Sequence, residues 1–166
     1  MYRLYFILSA IGVLGRTSCQ QVNPKYQEEV NDPILLHDAM KRMTDIMVYD
    51  IFSPPVASRN YVYPAIAAYE AMVHTDSTYL SLVGQVHDLE DMPQPITGEE
   101  YCYPLSAFQA LTIVGKALIF SEDRMESLRA EKFAQFEAAQ MPQKVYDRSM
   151  VFGQQIADHI LAWADK

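Results

Sequence analysis

The side chains that could do chemistry in this chain are few, and its four histidines come first among them. They are His37, His74, His87 and His159. None of them belongs to an HExxH motif, and no Glu stands three residues before any of them. The helix of zinc peptidases and the di-iron spacing of four-helix bundles are therefore excluded, because both need a Glu at a fixed helical offset from a histidine.

Two His-Asp dipeptides, His37-Asp38 and His87-Asp88, resemble the dyad of metal-dependent phosphohydrolases of the HD class. That class holds its dyad on a helix in a packed core, together with further His and Asp ligands. Here His87-Asp88 falls in a polar stretch that is rich in proline, glycine and acids. We interpret these histidines as surface or capping residues and predict no metal site.

Glu70 and His74 are one helical turn apart, so a hydrogen bond between them would raise the pKa of the histidine. We interpret them as an ordinary surface pair rather than an acid–base couple. Cys102 has no neighbouring His or Lys in the sequence, which predicts a buried, unreactive thiol. The motifs GxSxG, GxGxxG and GxxxxGK[ST] do not occur. We therefore predict no catalytic, cofactor-binding or metal-binding residue in this chain.

The composition is that of one acidic, globular domain. The chain has 166 residues with a formal net charge of −8, and half of its residues are hydrophobic. That apolar content is enough for a sizeable core. The excess of acids argues against a nucleic-acid partner, which would need clustered Lys and Arg. Two cysteines, Cys19 and Cys102, cannot form a disulfide scaffold.

The first 18 residues have the pattern of an export signal. Arg3 precedes a mostly apolar run from Leu4 to Leu14, and the small residues Thr17-Ser18 come directly before Cys19. A cysteine in this position resembles a bacterial lipoprotein signal, in which the thiol is acylated, although Arg16 departs from the usual aliphatic residue. We predict lipidation at Cys19 and export to the periplasm or outer membrane of a Gram-negative bacterium. A plain signal, an uncleaved anchor and a buried first helix stay open.

The elements that must position any site are predicted to be helices. Asp32-Pro33 has the pattern of a helix start, and apolar residues then recur at three and four positions until Asp50 or Phe52. Ser53-Pro54-Pro55 breaks this helix and caps a second one, which runs to about Thr75. Pro64 should kink the second helix or split it in two.

A long polar connection is predicted from Ser77 to Tyr103, with at most a short turn of helix. The segment from Pro104 to Phe120 is apolar on almost every face and predicts a central buried helix, too short and too polar for a membrane span. Ser121 should cap a helix to about Gln140, and a last helix runs from about Gln143 to Lys166. The fold class is therefore all-α, a bundle of about five helices after the signal segment.

Two segments resemble a known family. They are Phe52-Ser53-Pro54-Pro55-Val56-Ala57-Ser58-Arg59-Asn60-Tyr61, continuing to Ala67-Ala68-Tyr69-Glu70-Ala71, and Gly153 to Asp165 near the end of the chain. Both are similar to the N-terminal helical half of bacterial proteins related to vanadium-dependent haloperoxidases, within the type 2 phosphatidic acid phosphatase superfamily. The resemblance covers residues 30–166 and implies that residues 19–166 form half of a larger bundle.

The family's oxyanion site takes its Lys, Arg and His from three motifs, none of which this chain has. Arg-Pro and Gly-His dipeptides are absent, and the only Ser-Arg, Ser58-Arg59, is followed by Ala65 where the family has a histidine. The resemblance therefore implies no cofactor in this chain, with vanadate bound only in a full-length parent. Arg59 is expected to form an ion pair that holds helices together.

The resemblance leads to two functional hypotheses. In the first, the chain is the scaffold portion of an exported haloperoxidase-like or acid-phosphatase-like protein and is inactive alone. Its partner is then a missing C-terminal catalytic half or a second copy, and its surface should carry a large apolar patch. In the second, it is a non-catalytic helical lipoprotein that acts as a binding or assembly module.

Overall fold

Six helices run through residues 22–166, the part of the chain that this computed structural model describes. They are α1 (Tyr26–Val30), α2 (Ile34–Tyr49), α3 (Pro54–Met72), α4 (Tyr103–Ala117), α5 (Glu122–Ala138) and α6 (Gln143–Ala164). A 3₁₀ turn, Val73–Thr75, extends α3, and these residues contain no strand. The all-α prediction of about five helices is confirmed, with short α1 added. The predicted signal segment and Cys19 lie outside the described residues.

Helix α4 lies at the centre of the bundle. It contacts α2, α3, α5 and α6, and its residues from Leu105 to Gly115 are buried apart from Ile113, which is half-buried. The prediction of a central buried helix is confirmed. Helices α2 and α6 run in the same direction as α4, and α3 and α5 run in the opposite direction, as contacts at two levels of α4 show for each helix. None of the described helices is long and apolar enough to cross a membrane.

Helices α4 and α6 approach closely at small residues. A Cβ placed on Gly153 would lie 2.5 Å from the backbone oxygen of Ser106. The buried hydroxyl of Ser106 donates to the backbone oxygen of Ser149 over 2.9 Å, and the hydroxyl of Ser149 accepts from the backbone N–H of Cys102 over 2.8 Å. The polar groups in this contact are paired, so they can be buried without a large penalty.

Helix α3 continues unbroken through Pro64, so the helix is not split in two. Proline lacks a backbone N–H and usually disturbs a helix interior. Here Pro64 is buried, and the residue four positions before it, Asn60, is held by a hydrogen bond from its Nδ2 to the backbone oxygen of Leu118 over 2.8 Å. This contact with the end of α4 therefore favours a continuous α3, although proline disfavours the interior of a helix.

Residues 76–102, between the 3₁₀ turn and α4, contain no helix, as predicted, but this connection is not polar throughout. Leu89 and Met92 are buried in the core, which the many acids and prolines of this connection did not indicate. Tyr69 of α3 donates its hydroxyl to the backbone oxygen of Leu80, and Nε1 of Trp163 in α6 donates to the backbone oxygen of His87 over 3.0 Å. The connection thus lies against both α3 and α6.

The predicted helix caps differ in their outcome. The Asp32 carboxylate accepts from the backbone N–H of Ile34 over 2.9 Å, in agreement with its predicted role at the start of α2. Ser53 and Ser121 precede α3 and α5 but make no side-chain cap hydrogen bond. The hydroxyl of Ser121 donates instead to Asp50, because the turn that follows α2 lies beside it. For these two serines the predicted side-chain cap was wrong.

Asp50 joins the α2–α3 turn to the α4–α5 turn. Its carboxylate accepts from the backbone N–H groups of Phe120 and Ser121, over 2.9 and 3.1 Å, and from the Ser121 hydroxyl. Partial burial raises the pKa of Asp50, but these hydrogen bonds and the nearby Arg124 outweigh it and hold the pKa below its usual value. The ionised carboxylate therefore stabilises the junction of the two turns.

Replacing Asp50 with Asn should remove an acid-dependent part of the stability. A carboxyl whose pKa is lower in the folded state stabilises the protein above its unfolded pKa, and this stabilisation is lost as the pH falls through the folded pKa. We expect the difference in Tm between wild type and Asp50→Asn to be largest near neutral pH and to shrink below about pH 4. Thermal unfolding from pH 7 to 3 measures this, with exposed Asp45→Asn as the control. A difference that does not depend on pH would contradict it.

Candidate interaction surface

An open groove lies between the first half of α3, the end of α4 and the end of α6. Its volume is about 580 Å³. Its lining residues are Val56, Arg59, Asn60, Tyr63, Ala117, Leu118, Leu161, Ala162, Ala164 and Asp165. The walls are mostly apolar, with one cation and one carboxylate among them. Such a groove fits the side chains of another polypeptide better than a charged small molecule.

Aromatic contacts organise one wall of this groove. Nη2 of Arg59 lies 3.2 Å from the hydroxyl oxygen of Tyr63, and the guanidinium carbon is 5.4 Å from the centre of the Tyr63 ring. The Tyr63 ring in turn meets the edge of Trp163, with ring centres 5.3 Å apart. Among the described residues Arg59 forms no ion pair, so the predicted ion-pair role was wrong. Its partner is Tyr63, one turn away on the same helix, through both the hydroxyl group and the ring.

Large apolar side chains are exposed at the same end of the bundle. They are Val48, Tyr49, Ile51, Val56, Val62 and Phe120, each at least 43% exposed. All of them lie near the end of α2, in the first half of α3 or just after α4. The groove and these side chains together form the candidate interaction surface. Sequence patterns could not reveal it, because each residue alone resembles an ordinary core position.

Glu70 is not part of a surface pair, and that interpretation was wrong. Its side chain is buried, with 1% exposure. One carboxylate oxygen accepts from the Ser81 hydroxyl over 2.8 Å, and the other accepts from the backbone N–H of Leu82 over 2.7 Å. Glu70, which belongs to α3, therefore holds the connection between α3 and α4 against that helix.

His74 makes no hydrogen bond with Glu70 in the structure. Its Nε2 is buried without a partner, and its ring packs near Tyr103 and Phe152. Burial lowers the pKa of His74, and the negative charge of Glu70 opposes this only in part. The predicted rise of the pKa was wrong in direction, since the loss of hydration disfavours the charged imidazole more than Glu70 favours it.

The other histidines and Cys102 differ in their exposure. His37 and His87 are exposed, and Nδ1 of His87 lies 3.0 Å from Oδ2 of Asp88, which agrees with surface histidines. His159 is half-buried. Within residues 22–166 no group of three His, Cys, Asp or Glu side chains has a metal-binding arrangement. Cys102 is 3% exposed, which confirms the prediction that its thiol is buried, and burial raises the pKa of this thiol to about 11.

The described cluster of Lys116 and Arg129 does not fit an oxyanion such as vanadate, which needs several unpaired cations in one pocket. Lys116 and Arg129 line a shared hollow, but Lys116 lies 2.8 Å from a Glu126 oxygen and 3.3 Å from a Glu122 oxygen. The Arg129 guanidinium lies 3.7 Å from Glu126 and donates to Gln109 and Thr112. Acids already neutralise this cluster, so no chemical step is assigned to it.

A solved structure described as the first bacterial vanadium-dependent iodoperoxidase is similar to this chain. The two share 44% sequence identity over 80% of this chain, with a TM-score of 0.74. The match covers 32% of the iodoperoxidase chain, so this chain spans about a third of that enzyme's length. A comparison with models of protein families gives no match, and a comparison with curated proteins gives none either.

Proposed function

Since this chain is related to the bacterial vanadium-dependent haloperoxidases, we propose that it is the N-terminal scaffold portion of an exported enzyme of that type. In this proposal it supplies helices that support a catalytic portion, and it is inactive alone. The vanadate of such an enzyme would be held by residues of the catalytic portion. The predicted signal segment and acylation at Cys19 would place the protein in the periplasm or at the outer membrane.

This proposal depends above all on one observation: the match covers most of this chain but only a third of the iodoperoxidase chain. At 44% identity over 80% of this chain the two proteins share their fold in this region, yet the match covers only 32% of the iodoperoxidase chain. The three oxyanion-site motifs are missing from this sequence. Lys116 and Arg129 are paired with acids, and Arg59 packs on an aromatic ring. Each of these features favours the role of a scaffold over that of a catalytic domain.

A chimera tests the proposal. Residues 22–166 replace the matching segment of the iodoperoxidase, and iodide oxidation is measured with vanadate present. We expect the chimera to keep activity within about tenfold of the parent, because a conserved scaffold should position the catalytic portion with small errors only. Residues 22–166 alone should neither bind vanadate nor turn over iodide or a phosphate ester.

The controls are the iodoperoxidase without the matching segment, which should be inactive, and the intact parent. Turnover by residues 22–166 alone would contradict the scaffold role. A chimera that folds but has no activity would contradict the match between the two scaffolds. In that case the second hypothesis, a non-catalytic exported module, would describe the chain better.

A further inference from the structure

His74 has a buried ring nitrogen that no hydrogen bond satisfies. Its Nε2 finds no partner among residues 22–166, and no other buried side-chain nitrogen or oxygen in this part of the chain lacks one. The ring packs between aromatic side chains, with its centre 6.1 Å from that of Tyr103 and 5.8 Å from that of Phe152. Buried polar groups are normally paired, so this imidazole calls for a physical explanation.

The short helix α1 covers the cleft that His74 lines. The cleft has a volume of about 290 Å³, and His74, Cys102 and Tyr103 form one side of it. Tyr26 and Val30 of α1 form the other side, and both are buried. Cys102 is only 3% exposed. Displacement of α1 would therefore open this side of the cleft to water.

Helix α1 depends on tertiary contacts for its position. The Tyr26 hydroxyl donates to Oε1 of Glu100 over 2.5 Å, and Nε2 of Gln27 donates to the same oxygen over 2.9 Å. The backbone N–H of Asn23 donates to the backbone oxygen of Gln140 over 3.0 Å. A helix of five residues is not stable in water by itself. Since α4 packs against α2, α3, α5 and α6 without α1, the rest of the bundle can stay closed when α1 leaves.

The charges around the cleft do not provide His74 with a hydrogen-bond partner. The titratable and charged side chains there are Glu70 of α3, Tyr26 of α1, Glu100 and Tyr101 of the connection, Cys102 and Tyr103 at the start of α4, and Arg148 of α6. The negative charge of Glu70 acts on His74, but its carboxylate accepts from Ser81 and Leu82 instead. Arg148 pairs with Glu99. A charged imidazole would thus have attraction from Glu70 without the hydrogen bonds that water supplies.

His74 is the group in the cleft that changes its charge between pH 7.5 and 5.5. Burial raises the pKa of Tyr26 to about 12, that of Cys102 to about 11 and that of Tyr103 above its ordinary value. Burial lowers the pKa of His74, since the closed cleft favours the neutral ring. The closed form is therefore most stable above the ordinary histidine pKa of about 6.5, and it loses stability as the pH falls below that value.

We propose that α1 is a lid over this cleft and that protonation of the His74 imidazole opens it, independently of any catalytic partner. In the closed form the neutral ring stays between Tyr103 and Phe152. When the ring takes up a proton, the departure of α1 lets water hydrate the charge. Access to the cleft then depends on pH.

Labelling of the Cys102 thiol measures this opening. The full chain carries Cys19→Ser, so that Cys102 is its only thiol. A dithiodipyridine reagent, which reacts with thiols in acid as well, is applied at pH 7.5 and pH 5.5, and each rate is divided by that of the urea-unfolded chain at the same pH. We expect this ratio to rise about five- to tenfold at pH 5.5. One proton on a group with a pKa of about 6.5 shifts an equilibrium by at most about tenfold over one pH unit.

Three variants and one further measurement decide the outcome. His74→Phe keeps an aromatic ring in place and His74→Gln keeps a polar side chain, but neither takes up a proton, so both should lose the rise. His37→Gln removes an exposed histidine and should keep it. Amide exchange of residues 105–115 in α4, corrected for the intrinsic effect of pH, should be equal at both pH values. The proposal would be overturned by a constant ratio, by a rise that persists in both His74 variants, or by faster exchange throughout α4, which would indicate loosening of the whole bundle.

Discussion

Gly153→Ala is expected to lower the free energy of unfolding of this chain by about 3 kcal/mol, a large part of the total stability of a marginal domain. The new methyl carbon would stand 2.5 Å from the backbone oxygen of Ser106 and 2.8 Å from Cβ of Gln109. Neither atom is the end of a flexible side chain, so helices α4 and α6 would have to move apart. Their separation would disturb the centre of the bundle, since α4 is buried among all its neighbours.

Gly115→Ala is the matched control for this prediction. Its Cβ would meet Cε of Met125 and Sδ of Met43, each at 3.2 Å. Both atoms belong to flexible side chains that can rotate away, and alanine favours a helix over glycine by about 1 kcal/mol. We expect a net change below about 1 kcal/mol at this position. Urea unfolding of residues 22–166, followed by circular dichroism at 222 nm, compares the two variants. Equal effects would show that α4 and α6 are not closely packed at Gly153.

Glu70→Ala should destabilise the chain by about 3–4 kcal/mol. The change removes two hydrogen bonds to a buried carboxylate, leaves the half-buried N–H of Leu82 without this acceptor and opens a cavity. The connection between α3 and α4 should loosen as a consequence. We expect faster proteolysis within residues 76–102 together with the lower stability, and limited proteolysis followed by mass spectrometry locates the cleavage sites.

Two further variants control this result. Glu70→Gln keeps a side-chain oxygen for one of the two donors and should lose about half as much stability. Glu90→Ala removes an exposed acid from the same connection and should change neither stability nor proteolysis measurably. If Glu70→Ala lost stability without faster cleavage of the connection, the carboxylate would be a core residue only and not the fastening of this segment.

The relation to vanadium-dependent haloperoxidases was visible from short structural motifs, such as Pro54-Pro55 at the start of α3. The comparison with the iodoperoxidase confirms it over most of this chain. The bounds of the helices were also predicted within a few residues. Prolines and apolar periodicity act within one or two turns of a helix and can be read locally.

The predictions that were wrong share a different cause. Arg59 was expected to pair with an acid, and Ser121 to cap its own helix, because both rules consider neighbours in sequence. In the fold Arg59 lies on Tyr63, and Ser121 donates to Asp50, which is 71 residues away. Leu89 and Met92 were hidden among acids and prolines and became core residues through packing alone.

The sequence by itself determined that this protein is helical, that α4 is its centre and that the family's oxyanion motifs are missing, since these depend on residue type and local spacing. Only the tertiary structure decided which groups are buried together. It turned Glu70 from a surface acid into a buried anchor of a long connection, reversed the expected direction of the pKa shift of His74, and brought Asp50 beside Phe120. These outcomes depend on hydration and on distances between residues far apart in the chain, which no local pattern records.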